Sequence, residues 1–448
     1  MDKSLKEKLS KLSPEKLAAF LEKEAAINPA FMETVERLVD HDSPNKVLES
    51  ILDEIKHISR SHKFIDWRES SGFSQELARI IYSIETLLLP NHPQEALKAL
   101  DAFLNISANV IERVDDSNGN IGDEFRYAVN VWGKTWNYFT DINGSKLAKA
   151  IWKYFDKNDY GLFDDIVSSC EEALKRSGLN ELEELIKSKC SDEKSRFCIF
   201  HALHDIALLR QSPEAFLEAF QLTKRDMSTS DQLELAKLFI DISRINEAIH
   251  LLESIKSDYA AYKRTNLLIH AYSKIGKNDA AQALRWDGFI KQRRKDLFKE
   301  YYDNLSSDAE KQKTLDAAID TALSWDTIES ISMLFEIQQH DKAADLLLKR
   351  YDTLQGHQYY TLKDFAEEFT KVGYPLHAIL IYRRLSEDIL ARAQSKYYHH
   401  AITYLKKSKE ISTYVTDWMN YPPTLSYFNQ LKEEHRRKPS FMSKFEGL

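Results

Sequence analysis

Apolar side chains recur at helical spacing between residues 371 and 407. The first helix, which we expect to begin near Pro375, carries an apolar stripe at spacings of four, three and four residues, formed by Ala378, Tyr382, Leu385 and Ile389. After a polar break at residues 394–395, a second stripe follows, formed by Tyr397, Ala401 and Tyr404. Since residues three and four positions apart share one face of a helix, each stripe must be covered by another element. The segment therefore predicts a helical hairpin that packs against its neighbours.

Prolines that follow capping residues mark further helix starts. Proline fits the first position of a helix, and a preceding serine or asparagine accepts hydrogen bonds from the free N–H groups of the first turn. The clear cases are Ser13-Pro14, Asn28-Pro29, Ser43-Pro44 and Ser212-Pro213, and the weaker ones are His92-Pro93 and Tyr374-Pro375. Together with the apolar stripes that follow them, these pairs predict a series of short antiparallel helices.

A spaced alanine signal begins after about residue 212. Four segments place a small alanine before bulky apolar residues, and these alanines are Ala248, Ala281, Ala343 and Ala378. Their separations lie near one, two and one times a period of roughly 34 residues, the length of a tetratricopeptide repeat. Because a small residue lets two helices approach closely, the pattern favours stacked helix-turn-helix units. The alternative is a chance alignment of alanines on amphipathic helices, since the full repeat pattern of Trp, Gly, Tyr and Pro is nowhere complete.

Turn residues divide the chain into three expected regions. The stretch Val114–Glu124 is the most turn-rich of the sequence, and the repeat-like spacing starts near Ser212. We therefore expect an N-terminal helical domain at 1–114, a middle helical region at 115–211 and a tetratricopeptide-like α-solenoid region at 212–448. The predicted fold class is all-α, with an irregular helical domain in the first half and a solenoid of helical hairpins in the second half.

Composition supports this fold class. Only 12 glycines and 10 prolines occur among 448 residues, too few for the repeated hairpin turns of a many-stranded β protein. The net charge of −8 argues against a surface that attracts nucleic acid or anionic membranes as a whole. Three cysteines suit a reducing compartment, and no apolar run is long enough for a signal peptide or a membrane span, so we expect a cytoplasmic protein.

One string matches a phosphate-binding pattern in letters only. Ala128 to Thr135, AVNVWGKT, satisfies [AG]xxxxGK[ST]. A phosphate loop needs a preceding strand and small residues whose backbone N–H groups wrap the phosphates. Here the residues between Ala128 and Gly133 include bulky valines and a tryptophan, and the string continues a helical face. We therefore expect a helix and no nucleotide site.

The stretch Asp115–Glu124 resembles half of a calcium loop. Asp116, Asn118 and Asn120 alternate as oxygen ligands do, but Ile121 stands where glycine is needed and Tyr127 where a bidentate glutamate belongs. The simpler interpretation is a capped turn, in which an aspartate holds free backbone N–H groups. Whether this stretch binds an ion stays open.

Metal-ligand residue types cluster at one other place. Cys198, His201, His204 and Asp205, with Cys190 upstream, are the residues concerned. Cys198 and His201 are three positions apart on a predicted helix, whereas His204 is rotated further round, and no CxxC or HExxH motif supports them. A buried helix with structural roles for these residues is the favoured interpretation, and we predict no metal ion and no cofactor. The adjacent His399 and His400 point to different faces of a helix and make a poor ligand pair.

Basic residues are the strongest signal for a partner. One cluster contains Lys291, Arg293 and Arg294, and the C-terminal run contains Arg436 and Arg437. Within the helical hairpin we expect Arg383 and Arg384 on the exposed face, each paired with an acidic residue four positions later. Lys396 lies in the turn of the hairpin, and Tyr398 is the best candidate for an exposed aromatic contact. These nine residues are our predicted partner-binding residues.

The chain resembles a bacterial family known only as a domain of unknown function, which is found in stand-alone proteins and beside SWIM-type zinc fingers. The resemblance rests on FIDW at Phe64–Trp67, VDDSNGNIGD at Val114–Asp123, DYGLFDD at Asp159–Asp165 and the long segment Pro375–Leu405. It implies an all-helical, cytoplasmic bacterial protein with a solenoid-like second half. It brings no reaction, cofactor or catalytic residue, and the CxC and CxH ligands of a SWIM finger are absent from this sequence.

The sequence favours a non-enzymatic interaction scaffold. Helical pairs stacked into a curved array are expected to hold a protein or peptide partner, and no catalytic residue is predicted. One alternative is a nucleic-acid-associated regulator that binds through Lys291–Lys295 and the C-terminal basic run. A second is an enzyme whose site is assembled in space, near Asp115–Glu124 or His201–Asp205. The identity of the partner and the oligomeric state stay open.

Overall fold

The protein is all-α, as the sequence predicts. The computed structural model describes residues 10–40, 42–158, 160–189 and 196–448. These residues contain no β-strand, and one isolated bridge joins Ile65 to Val114.

We number the α-helices in chain order. The first fifteen are α1 (Pro14–Ile27), α2 (Pro29–Val39), α3 (Pro44–Arg60), α4 (Ser70–Ser83), α5 (Pro93–Asn105), α6 (Ser107–Ile111), α7 (Asn120–Thr135), α8 (Gly144–Phe155), α9 (Ile166–Ser169), α10 (Glu171–Arg176), α11 (Leu179–Lys187), α12 (Arg196–Leu209), α13 (Pro213–Thr223), α14 (Thr229–Asp241) and α15 (Ile245–Ser254). The others are α16 (Ala261–Lys274), α17 (Asn278–Gln292), α18 (Lys295–Asp303), α19 (Asp308–Leu323), α20 (Thr327–Glu336), α21 (His340–Lys349), α22 (Tyr359–Lys371), α23 (Pro375–Ala391), α24 (Tyr398–Ile411), α25 (Thr424–Glu434) and α26 (Pro439–Phe445). A π-helical turn at Ile84–Leu88 continues α4, and 3₁₀ turns lie at Trp136–Tyr138, Asp258–Ala260, Tyr351–Thr353, Ser395–Tyr397 and Ser412–Tyr414.

The proline pairs begin helices where the sequence places them. All six prolines stand at the first position of α1, α2, α3, α5, α13 and α23. The side chains of Ser13, Asn28 and Ser212 accept hydrogen bonds from backbone N–H groups of the following turn. Ser43 precedes α3 without such a side-chain bond, so the fixed φ of Pro44 carries the start of that helix. The predictions of helix starts are confirmed.

The chain divides into two compact units, Met1–Leu267 and Leu268–Leu448. The expected boundaries near 114 and 211 both lie within the first unit. At the first of them, the N–H of Ile65 donates to the carbonyl of Arg113 (3.0 Å), and the N–H of Asp115 donates to the carbonyl of Ile65 (2.9 Å). The FIDW and VDDSNGNIGD stretches, which are about fifty positions apart in the sequence, are thereby joined by backbone hydrogen bonds.

A polar group anchors the core of the first unit. Trp132 is fully buried, and its Nε1–H donates to the carboxylate of Asp101 (2.9 Å). The hydroxyl of Tyr154 donates to the same carboxylate oxygen (2.6 Å). A buried indole N–H and a buried phenol are costly to leave unpaired, so one acidic side chain of α5 joins α7 and α8.

The phosphate-loop-like string is part of a helix, as the sequence predicts. Gly133 lies in α7, and its backbone passes directly against α9. A Cβ atom at this position would stand 2.5 Å from the carbonyl carbon and oxygen of Ser169. The glycine of this string therefore serves helix packing.

The turn at Val114–Glu124 is capped, which confirms the simpler interpretation of its sequence. The two carboxylate oxygens of Asp116 accept hydrogen bonds from the N–H groups of Ile121 (2.9 Å) and Gly122 (2.8 Å). Asp115 accepts from the N–H of Ser117 (3.2 Å). The two bonds to Asp116 satisfy free N–H donors at the start of α7, as capping carboxylates do.

The same tight turn joins four helix pairs around the predicted alanines. Each turn contains one residue with positive φ, namely Ser243 (66°), Gly276 (74°), Gln338 (57°) and Gly373 (90°). The next residue donates its N–H to a carbonyl five positions earlier, as in a Schellman motif, in the pairs Arg244 to Phe239, Lys277 to Tyr272, Gln339 to Leu334 and Tyr374 to Phe369. The alanine stands at the fourth position of the second helix and is completely buried in all four pairs.

The predicted hairpin consists of α23 and α24. Ala378, Tyr382 and Leu385 are buried as expected, because α22 and α24 both pack against α23. The second stripe is only partly correct. Ala401 is buried and Tyr404 is half-buried, but Tyr397 lies in the 3₁₀ turn before α24 with 42% of its surface exposed. The predicted stripe assumed one continuous helix from Tyr397 to Tyr404, but the helix begins only after the 3₁₀ turn, at Tyr398.

Candidate functional site

The structure corrects the predicted position of Arg383. Its side chain is 2% exposed, whereas we expected it on the exposed face of α23. The guanidinium lies over the ring of Tyr427 (4.2 Å to the centroid) and near that of Trp418 (5.3 Å). Cation–π contacts of this kind are worth up to about 2 kcal/mol when water is excluded. Arg383 therefore holds the C-terminal segment of the second unit onto α23 and is not available to a partner.

Two other predicted contact residues of the hairpin are also committed to the fold. Tyr398 is 4% exposed and packs against Phe441, so the expectation of an exposed tyrosine is wrong. Arg384 is half-buried and donates to the carbonyls of Tyr351 (3.3 Å) and Asp352 (3.1 Å). Its nearest carboxylate is Glu387 (3.6 Å), three positions later, and not the residue four positions later.

Lys396 is exposed, as a partner-binding residue must be. Its ammonium group lies 4.7 Å from the ring centroid of Tyr397. Within the part of the chain that the structure describes, Lys396 has no carboxylate partner. Its charge is therefore available to a ligand.

The basic cluster near residue 293 is neutralised by acidic neighbours. Lys291 pairs with Asp287 (2.7 Å) and Arg293 with Asp326 (2.6 Å). Arg294 is 7% exposed and pairs with Asp296. A cation that already has a close carboxylate gains little from a phosphate, so the cluster is a weak anchor for nucleic acid.

The C-terminal cations stand in a mixed-charge surface. Arg436 and Arg437 are exposed, and together with Gln430, Glu433 and Glu434 they line a shallow depression. Arg436 lies 3.9 Å from Glu433. The acidic residues reduce the attraction of this surface for phosphate groups.

A groove with three tyrosines opens beside the hairpin in the second unit. Its volume is about 340 Å³, and its walls come from the loop before α22 and the first residue of that helix, from α23, and from the turn and first half of α24. We call it the tyrosine groove and define it by Gly356, Tyr359, Leu385, Asp388, Ile389, Arg392, Gln394, Tyr397, His400 and Tyr404.

Close packing of Gly356 shapes one wall of the tyrosine groove. A Cβ atom on Gly356 would lie 2.3 Å from the Cβ of Asp388 and 2.9 Å from the carbonyl oxygen of Arg384. The loop that contains Gly356 therefore packs directly against α23, and Tyr359, Tyr397 and Tyr404 line the groove beside it. The ring of Tyr359 packs against that of Tyr360, with the centroids 4.2 Å apart and the ring planes tilted by 36°.

The electrostatics of the tyrosine groove are those of a neutral floor with a basic rim. Asp388 and Arg392 form an ion pair across one helical turn (2.5 Å), which cancels their charges. A hydrogen bond with Tyr360 raises the pKa of Tyr359, and the nearby Tyr404 and Tyr397 add to the effect. The Tyr359 hydroxyl thus stays protonated as a donor, and Lys396, whose ammonium group lies over the ring of Tyr397, adds a positive charge beside the groove.

Sequence reasoning missed the tyrosine groove. Tyr397 and Tyr404 were assigned to a buried stripe, and Tyr359 lies in another helical pair. The available signal was the density of tyrosines on consecutive elements, since tyrosine is enriched at binding surfaces.

The first unit contains a group of polar side chains around His204. The Nε2 atom of His204 in α12 lies 3.0 Å from Glu234 of α14, and its Nδ1 atom lies 3.7 Å from Asp205. Asp231 of α14 also lies close, so that one ligand atom from each of His204, Asp231 and Glu234 falls within 4.8 Å of the others.

Among the described residues, the other candidate ligands of the sequence, His201, His399 and His400, do not belong to this group. Cys190 lies outside the described residues, and so does the side chain of Cys198. Burial lowers the pKa of His201, and the carboxylates of Asp164 and Asp205 oppose this effect. The rings of His399 and His400 have their centroids 3.9 Å apart. Neither residue belongs to a group of three or more potential metal ligands among the described residues.

These observations define a class of protein. It is an all-α protein of successive helical hairpins with a tyrosine-lined surface groove and a histidine–carboxylate cluster. The chain belongs to the family of unknown function DUF6880, whose family model matches residues 2–198 and 190–444. No curated protein matches the chain. Among the described residues, none of the helices combines the length and apolar character that crossing a bilayer requires.

Proposed function

We propose that this protein is a non-enzymatic interaction scaffold that binds a short acidic peptide segment of a partner protein in the tyrosine groove. The hairpins with the recurrent turn are, in this proposal, tetratricopeptide-like units of a solenoid. This part of the proposal is supported by the buried alanine, which occupies the same position in four helix pairs, and by the turn before each of these helices, which contains one residue in the left-handed conformation. The proposal includes a cytoplasmic location, which is supported by the free thiol of the buried Cys170.

The composition of the tyrosine groove supports a peptide as its occupant. Tyrosine offers a large apolar ring and a hydroxyl donor with little conformational entropy to lose, which makes it effective at protein interfaces. Leu385 and Ile389 provide an apolar floor between the rings. A volume of about 340 Å³ lies at the lower end of the range of small-molecule sites, roughly 300–1,000 Å³, and suits one or two side chains of a peptide.

The charges select an acidic peptide. The ion pair of Asp388 and Arg392 leaves no net charge on the floor, while Lys396 stands at the rim without a carboxylate partner among the described residues. A carboxylate on the peptide would meet Lys396 and the tyrosine hydroxyls, and an apolar neighbour would enter the groove. Such complementarity mainly increases specificity and the association rate.

The test is a selection of short random peptides on the full-length protein, followed by fluorescence anisotropy with a selected peptide. We expect the recovered peptides to be enriched in Asp and Glu next to an apolar residue. Tyr397→Ala should weaken binding by about 30-fold, because buried aromatic anchors contribute about 2 kcal/mol. Lys396→Glu should weaken it more strongly at low salt than at high salt.

Matched controls lie on the same unit. Tyr414→Ala removes a tyrosine that is 75% exposed outside the groove, and Arg436→Glu reverses an exposed charge. Both variants should bind the peptide as the wild type does. Recovery of basic peptides, or equal binding by Tyr397→Ala, would contradict the proposal.

The nucleic-acid alternative is not carried into this proposal, because Lys291, Arg293 and Arg294 each have an acidic partner. The anisotropy assay with labelled oligonucleotides at about 50 and 200 mM salt separates the two functions, since phosphate contacts weaken steeply over this range. Salt-sensitive binding of an oligonucleotide with an affinity above that of every selected peptide would favour the alternative.

A further inference from the structure

We propose that His204, Asp231 and Glu234 form a binding site for one divalent transition-metal ion, for which Zn²⁺ fits best, and that Asp205 orients the imidazole ring. The site lies entirely in the first unit, between α12 and α14, and is independent of the tyrosine groove.

The spacing of the ligand atoms fits an ion of this size. Bonds of about 2.1 Å from Zn²⁺ to nitrogen and oxygen in tetrahedral geometry place neighbouring ligand atoms about 3.4 Å apart. The three ligand atoms are within 4.8 Å of one another, and His204 Nε2 lies 3.0 Å from the carboxylate of Glu234. Small rotations of the two carboxylates therefore suffice to complete the coordination.

The backbone places both carboxylates on the same side of α14. Asp231 and Glu234 are three positions apart in the first turns of the helix and share one face. Asp231 is further held by the capping box, in which it accepts a hydrogen bond from the N–H of Ser228 (2.7 Å). A carboxylate that is already ordered loses less entropy when it binds an ion.

The imidazole is oriented from its other side. The Nδ1 atom of His204 lies 3.7 Å from Asp205, and the Nε2 atom on the opposite side of the ring lies 3.0 Å from Glu234. Histidine ligands of metal ions commonly have a carboxylate at the second ring nitrogen, and this partner selects the tautomer and increases the basicity of the ligand. The ring is also packed between Phe200 (5.6 Å between centroids) and Phe216 (4.7 Å).

Charge and access match a divalent ion. One neutral imidazole and two carboxylates carry a charge of about −2, which a divalent ion neutralises. Glu234 also lines a surface cavity of about 420 Å³, which leaves room for a water molecule as a fourth ligand.

The test is metal binding by the full-length protein without an affinity tag. The protein is stripped with a chelator, and ZnCl₂ and MgCl₂ are titrated separately by calorimetry, with elemental analysis of the dialysed complex. We expect one equivalent of Zn²⁺ to bind and Mg²⁺ to bind at least tenfold more weakly, because imidazole is a poor ligand for Mg²⁺. Glu234→Gln and Asp205→Asn should each weaken Zn²⁺ binding by about tenfold or more.

The controls distinguish this site from adventitious binding. Glu234 is partly exposed, so Glu234→Gln is expected to fold, which its circular dichroism verifies. Asp241→Asn removes another carboxylate of α14, one that pairs with Lys237, and should bind Zn²⁺ as the wild type does. The inference is overturned if Zn²⁺ does not bind with saturation, if Glu234→Gln binds it equally well, or if Mg²⁺ binds more tightly.

Discussion

Replacing Gly133 with alanine is expected to lower the free energy of unfolding of the first unit by about 2 kcal/mol. The added Cβ would stand 2.5 Å from the backbone of Ser169, so α7 and α9 must separate. Such overpacking costs about 3 kcal/mol, and the better helix propensity of alanine offsets about 1 kcal/mol of it. The neighbouring Trp132 is fully buried, so the shift will also disturb the core around Asp101. Urea unfolding, followed by tryptophan fluorescence and by hydrogen exchange of residues 120–135, measures the effect.

Gly72→Ala is the matched control for this prediction. Gly72 lies in α4, and a Cβ atom at this position would have no atom within 4 Å. The same substitution should therefore stabilise the unit by about 0.5–1 kcal/mol, since alanine is the better helix former. If Gly133→Ala unfolds at the urea concentration of the wild type, the close approach of α7 to α9 does not determine stability.

Acidification from pH 7 to pH 4 is expected to destabilise the second unit through His377 by about 3 kcal/mol. The ring is 6% exposed in α23, stacks on Phe369 and meets the edge of Tyr374, and neither ring nitrogen has a hydrogen-bond partner within the described part of the chain. Burial lowers the pKa of His377 to about 4, and Asp345 and the Ala344 carbonyl on α21 only partly oppose it.

The direction of the effect follows from the two protonation states. In the unfolded chain, His377 binds a proton near the ordinary histidine pKa of about 6.5. In the folded chain, the same side chain is protonated only near pH 4. The contribution of His377 to the free energy of unfolding is therefore fully present above pH 6.5 and is lost as the pH falls toward 4. Each unit of difference in pKa corresponds to about 1.4 kcal/mol.

His377→Leu isolates this contribution. The variant keeps an apolar side chain of similar volume in the same place and has no proton to bind, so its stability should fall less between pH 7 and pH 4. His399→Leu makes the same change at an exposed position of α24 and should follow the wild-type profile. Urea midpoints of the second unit, measured at half-unit steps of pH, provide the comparison. Parallel profiles of the wild type and His377→Leu would show that another group causes the loss.

Much of the fold was predictable because its signals are local. A serine or asparagine before a proline begins a helix through atoms within one turn, and a carboxylate such as Asp116 caps a turn within six residues. The glycine of the phosphate-loop-like string was correctly assigned to a helix, because bulky neighbours are incompatible with a phosphate loop. The closeness of Gly133 to Ser169 was not predictable, since it depends on how two helices meet.

The candidate sites were less predictable for the same reason. Arg383 and Tyr398 have the periodicity of exposed positions, but Tyr427, Trp418 and Phe441 come from later segments and cover them. Asp231 and Glu234 are typical residues of a helix start when α14 is considered alone. Only their distance from His204 makes them candidate ligands.

The sequence by itself determined the all-α class, the positions of the helix starts and the buried alanines of the hairpins. These features depend on backbone geometry, capping and side-chain size over a few residues. Tertiary structure alone decided which polar side chains are buried, where three tyrosines surround a groove, and which carboxylates meet His204. Those outcomes depend on contacts between segments far apart in the chain. The hydrophobic periodicity of a segment shows that one of its faces is covered, but it does not identify the residues that cover this face.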